Sequence, residues 1–92
     1  MRRAAKVDSN HGEIVQALRK VGCRVLDLSR VGQGCPDLLV SVANGKYGRD
    51  LVLMEIKAGR GQANAAQRAF EAQGWPVFLV RSVADALRVV GR

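Results

Sequence analysis

Gly34-Cys35-Pro36-Asp37-Leu38-Leu39-Val40 and Leu51-Val52-Leu53-Met54-Glu55-Ile56-Lys57 decide how this chain folds. Each is an apolar run of strand length, and each carries charge at one end. Charge is costly in a strand this apolar unless a partner compensates it or chemistry uses it. Strand side chains alternate, so Glu55 and Lys57 leave one face together while Ile56 points to the core. Pro36 cannot sit in a central ladder, so Asp37 opens its strand. A hairpin centred on Lys46 sets Asp37 opposite Glu55, whereas a slip of one residue would put them on opposite faces.

Outward from this pair, Ile14, Val15, Leu18 and Val21 follow helical spacing, giving a first helix over about 10–21 that Gly22 ends. Residues 23–29 read as a strand with Cys23, Val25 and Leu28 inward, followed by the glycine-bearing loop 30–35. The second strand spans 37–42 and the third 51–57, joined by a long hairpin loop over 43–50 rich in turn residues. After a loop at 58–62, a helix runs over about 64–73 and a strand over 76–81. Ser82, three before Asp85, caps a last short helix containing Leu87 and Val90. The order α-β-β-β-α-β-α is an α/β architecture, a central mixed sheet flanked by helices. Its third strand, second helix and fourth strand form a crossover unit expected to be parallel and right-handed.

Ninety-two residues make one domain, with 1–8 a basic arm. No apolar run is long enough to span a membrane, and the basic start leads into Val7-Asp8-Ser9-Asn10, unlike a signal peptide. Cys23 and Cys35 lack metal-ligand spacing and suit a reducing cytoplasm, in a bacterial or phage-infected cell. His11, the single histidine, is expected at an exposed helix start. Fifteen Lys and Arg against eight Asp and Glu give a net charge of +7, so the expected partner is a polyanion. Placing Asp37 and Glu55, two of so few acids, in apolar strands points to a bound cation. The core has few aromatics, which makes a homodimer a natural supplement, with Leu87, Val89 and Val90 either shared between copies or packed on the chain's own sheet.

Two carboxylates and an ammonium at one sheet end imply metal-assisted phosphodiester hydrolysis. Asp37 and Glu55 would hold Mg²⁺, with Mn²⁺ substituting, together with the backbone carbonyl of Ile56. Lys57 would serve as a compact point charge for the attacking water or the developing oxyanion. Taken singly, Asp37 reads as a turn carboxylate and Glu55 with Lys57 as an exposed ion pair; the combination argues for a site. Glu13 stands at capping-box distance from Asn10 and is either a cap or a third metal ligand. Gln67 stands likewise three after Asn64, and either caps its helix or positions water or a phosphate. Arg60, Arg68 and Lys46 are the candidate contacts to a DNA backbone.

Pro36-Asp37 followed by Glu55-Ile56-Lys57 resembles the PD-(D/E)xK nuclease signature, and the restriction-endonuclease-like core that goes with it. Glu13 in the first helix, the Gly34-x-Pro36-Asp37 string, and Gln67 followed three later by Phe70 resemble one branch, the virus-type replication-repair nuclease (VRR-NUC) domain. The likeness covers about residues 10–81. It implies Glu13, Asp37 and Glu55 around a metal, Lys57 as the catalytic lysine and Gln67 as an accessory. It further implies a homodimeric endonuclease of branched DNA such as four-way junctions, leaving a 5′-phosphate and a 3′-hydroxyl. Family members often carry a basic residue just before the Pro-Asp, where this chain has Gln33 and Cys35. The alternative is a non-catalytic nucleic-acid-binding module on the same fold.

Overall fold

The computed structural model describes residues 8–92. Its elements are α1 (His11–Lys20), β1 (Arg24–Asp27), β2 (Leu38–Asn44), β3 (Gly48–Ile56), α2 (Ala65–Ala72), β4 (Val77–Val80) and α3 (Val83–Val89). The strands form one sheet in the order β1-β2-β3-β4; β1, β2 and β3 pair antiparallel, and β4 joins β3 in parallel. The fold is therefore α/β with a four-stranded mixed sheet.

Alternation sorts the sheet into two unlike faces. One carries Leu38, Val40, Val42, Met54, Ile56 and Val80, which with Ile14, Val15 and Leu18 of α1 and Ala86 and Val90 by α3 make the core. Leu87 and Val89 pack against this core, so the C-terminal apolar residues serve the chain's own sheet. The other face carries Leu26, Leu39, Leu51, Leu53, Glu55 and Leu79. There α2 contributes no buried residue, and Leu26, Leu51 and Leu79 are 57%, 69% and 45% exposed.

Leu38 pairs with Met54 and Asn44 with Gly48, a register centred on Lys46 that brings Asp37 opposite Glu55. The connection between β2 and β3 is shorter than the sequence suggests. The ladder runs on to Asn44 and Gly48, leaving a turn at residues 45–47. Two side-chain ties extend it: Asn44 Nδ2 donates to Asp50 Oδ2 at 2.9 Å, and Arg49 donates to both Ser41 Oγ and Ser41 O. Turn residues such as Asn44 and Asp50 can thus close a ladder by pairing across it.

His11 is not at an exposed helix start but buried, 8% exposed, with Nε2 2.9 Å from Asp27 Oδ2. Asp27 lies beside Leu38 in the ladder and so faces α1, whose first turn crosses the end of β1. The capping box expected of Asn10 and Glu13 is also absent. Asn10 makes no side-chain cap; its Nδ2 donates instead to Arg81 O at 3.0 Å, fastening the start of α1 to the end of β4. Asp8, the last residue of the basic arm, is anchored: its Oδ1 accepts from Ala58 N at 3.1 Å and its carbonyl from His11 N. The remainder of that arm lies outside the described residues.

Candidate active site

The loop before β2 sets the site. Gly34 has φ 82°, a conformation that L side chains rarely adopt, and a Cβ there would collide with the Ala66 carbonyl in the first turn of α2. Only glycine lets this loop lie against that helix end. Pro36 is fully buried. Asp37 then turns back across the hairpin, its Oδ2 accepting from Ile56 N at 2.7 Å and its carbonyl from Leu28 N at 2.7 Å.

Glu55 is 6% exposed, unusual for a carboxylate without an arginine partner. Its Oε2 accepts from Gln67 Nε2 at 2.6 Å and lies 3.6 Å from Lys57 Nζ, whose own side chain is 13% exposed. Burial and the Asp37 carboxylate beside it push Glu55 up from 4.5 to about 7, and Lys57 offsets only part of that rise. Two acids held this close favour either a shared proton or a cation between them.

Gln67 caps its helix and also reaches the site. Its backbone N–H donates to Asn64 Oδ1 and its Oε1 accepts from Asn64 N, both at 2.9 Å, a complete capping box. Its remaining amide group reaches Glu55. The residue that starts α2 thereby also fixes the angle at which the Glu55 carboxylate is presented. Glu55 and Gln67 line a cleft of about 80 Å³ with Gly34, Pro36, Val77 and Leu79.

Glu13 is exposed on α1 and is not gathered with these residues; among the described residues no three His, Cys, Asp or Glu side chains converge as a metal-binding set. With Asn10 committed to Arg81, Glu13 is neither cap nor a member of such a set. Arg60 is exposed on the loop after β3, one element from the cleft. Arg68 spends Nη1 on the Ala63 carbonyl at 2.7 Å, bracing the start of α2. Lys46 stands over the Tyr47 ring in the β2–β3 turn, roughly 25 Å from Glu55 at the usual strand rise.

Two participants were hidden from sequence reasoning. Asp8 ties the chain entering α1 to the peptide just after Lys57. Arg81 Nη1 donates to the carbonyls of Gly59 and Gly61 at 2.9 and 2.7 Å, holding the same loop from the other side. The only sequence signal for either was proximity in the parallel crossover, which places position 81 beside position 57. Comparison with known protein families, curated proteins and solved structures gives no match.

Proposed function

We propose that the chain is a Mg²⁺-dependent, structure-selective DNA endonuclease of the VRR-NUC kind, acting on branched DNA such as four-way junctions. The observation that carries this reading is the gathering of Asp37, Lys57 and Gln67 around Glu55, which is buried, short of countercharge and lines the cleft with Gln67. A carboxylate pair of this kind suits a hard divalent cation, which commonly takes only one or two protein carboxylates and completes its shell with water. Asp37 and Glu55 would hold it, with the Ile56 carbonyl beside them; Mn²⁺ should substitute. When bound, such an ion supplies Lewis acidity and charge neutralisation at the scissile phosphate.

The chain's own residues account for the rest. Lys57, on a mostly buried stem, holds its ammonium where negative charge would grow on a phosphate. Gln67 restrains Glu55 and has its own rotamer fixed by the capping box, so the site is organised before substrate arrives. Arg60 and the net charge of +7 draw the polyanion towards the cleft.

A homodimer is the assembly that suits a symmetric junction, and the uncovered end of the sheet face with Leu26 and Leu51, away from the cleft, is the surface for it. Labelled four-way, flap, splayed and linear DNAs incubated with Mg²⁺, Mn²⁺ or EDTA test the reading. Metal-dependent cleavage preferring the junction is expected. Metal-independent binding without cleavage of any of them would leave the non-catalytic module on the same fold.

A further inference from the structure

Arg81 is a half-buried cation that makes no ion pair among the described residues. Its backbone N–H is taken by Asp85 Oδ2 at 3.0 Å, but its guanidinium turns the other way, into the loop after β3. There Nη1 alone makes both loop contacts, to the Gly59 and Gly61 carbonyls. Nε and Nη2 have no acceptor among the described residues, and a guanidinium offers five donors in a planar fork.

The parallel register brings this group beside Lys57. Ile56 pairs with Val80 and Lys57 N donates to Val80 O at 3.0 Å, so Lys57 and Arg81 come next, side by side. Two cations therefore stand at the end of β3 and β4, next to Glu55, and only Lys57 has that carboxylate within 4 Å. The loop between them presents carbonyls to the guanidinium: the peptides that aim Gly59 O and Gly61 O at Nη1 turn the Arg60 and Gln62 N–H groups away from it. Nε and Nη2 of Arg81, beside the Lys57 ammonium, are the donors arranged for an anion with several acceptor oxygens.

We propose that Arg81, held by the Gly59 and Gly61 carbonyls, forms with its free Nε and Nη2 a phosphate subsite that seats an internal phosphodiester of the polynucleotide, next along the strand from the one held at Asp37, Glu55 and Lys57. The proposal rests on the reading of the cleft as a nucleic-acid site and deepens it. Arg81 thereby adds binding to the strand beside Lys57, and the two loop carbonyls hold its fork at the proper angle.

The test is binding without turnover. Wild type, Arg81→Gln and Arg81→Lys are titrated in EDTA with a labelled four-way junction, followed by anisotropy across ~50–200 mM salt. Arg81→Gln should bind roughly tenfold more weakly, the scale of a lost charge-assisted contact, with a log K against log salt slope shallower by about 0.9, the value of one phosphate. Arg81→Lys should keep the slope. In Mg²⁺, Arg81→Gln should raise KM and leave kcat within about threefold, as for contacts made equally in ground and transition states. An unchanged salt slope in Arg81→Gln, whatever its affinity, would reduce Arg81 to a loop clamp. Should Arg81→Gln not fold, NMR titration of wild type with the dinucleotide d(TpT) decides: shifts at the Arg81 Nε–H and Nη–H resonances support the subsite. Their absence, or a stronger response to inorganic phosphate than to the diester, overturns it. Failure of wild type to cleave in Mg²⁺, with the slope change intact, would remove the nuclease reading and leave the subsite standing.

Discussion

Glu55 draws on three neighbours of different kinds, and each can be removed separately. Asp37→Asn or Glu55→Gln should abolish Mg²⁺-dependent cleavage while DNA binding stays equal or tightens, since each removes negative charge beside a phosphate. Anisotropy in EDTA beside cleavage in Mg²⁺ checks this, and full activity in either variant would remove the carboxylates from the mechanism. Lys57→Ala should lose more than ~10²-fold in single-turnover rate, the scale of one oriented electrostatic group, with Mn²⁺ affinity largely kept on calorimetry. The same residues set the pH dependence of stability. Glu55 is raised from 4.5 to about 7, so the native state holds a proton that the unfolded chain has released, and metal-free stability falls as pH climbs through that window. Asp27 runs the other way. Burial raises it, but hydrogen bonds from the Ser29 hydroxyl and amide, with His11 beside it, outweigh that and hold it at about 2. Its contribution is complete above 3.8 and is lost as pH falls towards 2. Thermal melts of the metal-free protein should therefore be most stable near pH 4–5, and Mg²⁺ should raise the melting temperature more at pH 7.5 than at pH 5. A melting profile that rises steadily from pH 5 to 8 without metal would contradict the Glu55 assignment.

Among the elements, α2 is the one whose placement makes the cleft, although it buries none of its residues in the core. It is held by its first turn, through the Gly34 backbone on one side and Gln67 on the other. Capping and positioning separate by comparing two variants. Asn64→Ala removes the cap and should cost about 1 kcal/mol with cleavage largely retained. Gln67→Ala keeps the backbone N–H that Asn64 Oδ1 caps and removes the reciprocal half of the box together with the Glu55 contact, so it should lose much more activity than Asn64→Ala. Equal activity in the two would make Gln67 a cap alone. Gly34→Ala should displace α2 from the loop and weaken both stability and cleavage, because the Ala66 carbonyl cannot yield without moving the helix. The elements themselves were legible: hydrophobic period and glycine positions locate all seven, and the hairpin centre at Lys46 follows from two apolar runs that must share a face. What periodicity could not supply were ties between residues distant in sequence. His11 to Asp27, Asn10 to Arg81 and Asp8 to Ala58 all depend on how α1 crosses the sheet, which a local pattern does not encode. Asn10 and Asn64 each stand three before a Glu or Gln, yet only Asn64 caps, because Asn10 has a tertiary acceptor within reach.

At the scale of the molecule, the sheet is covered unevenly, and that bears on its assembly. α1 and α3 close one face into a core, whereas the other keeps Leu26, Leu51 and Leu79 about half exposed or more, with Leu39 and Leu53 half-buried between them. Trp75, stacked on Phe70 with centroids 5.6 Å apart, borders the open side of α2 and is itself 52% exposed. Such an exposed apolar face is the candidate surface for the proposed dimer. A second copy suits the face because a two-fold axis would lay leucine on leucine and need no complementary partner. It would also set two clefts on one particle, which a symmetric four-way junction could engage together. Leu51→Glu, at the most exposed leucine, places a buried charge at that contact and should convert a dimer to a monomer at micromolar concentration by light scattering. The variant's metal-dependent nicking of a single arm should persist, since Leu51 lies four residues and roughly 13 Å along β3 from Glu55, while paired incision of the junction should fall to independent nicks. The C-terminal alternative, in which Leu87 and Val89 make the contact, is disfavoured by their packing against the core. A wild-type protein that is monomeric across micromolar concentrations, or a Leu51→Glu protein that remains dimeric, would move the interface elsewhere or remove it, with the chemistry at Asp37 and Glu55 left to stand on its own tests.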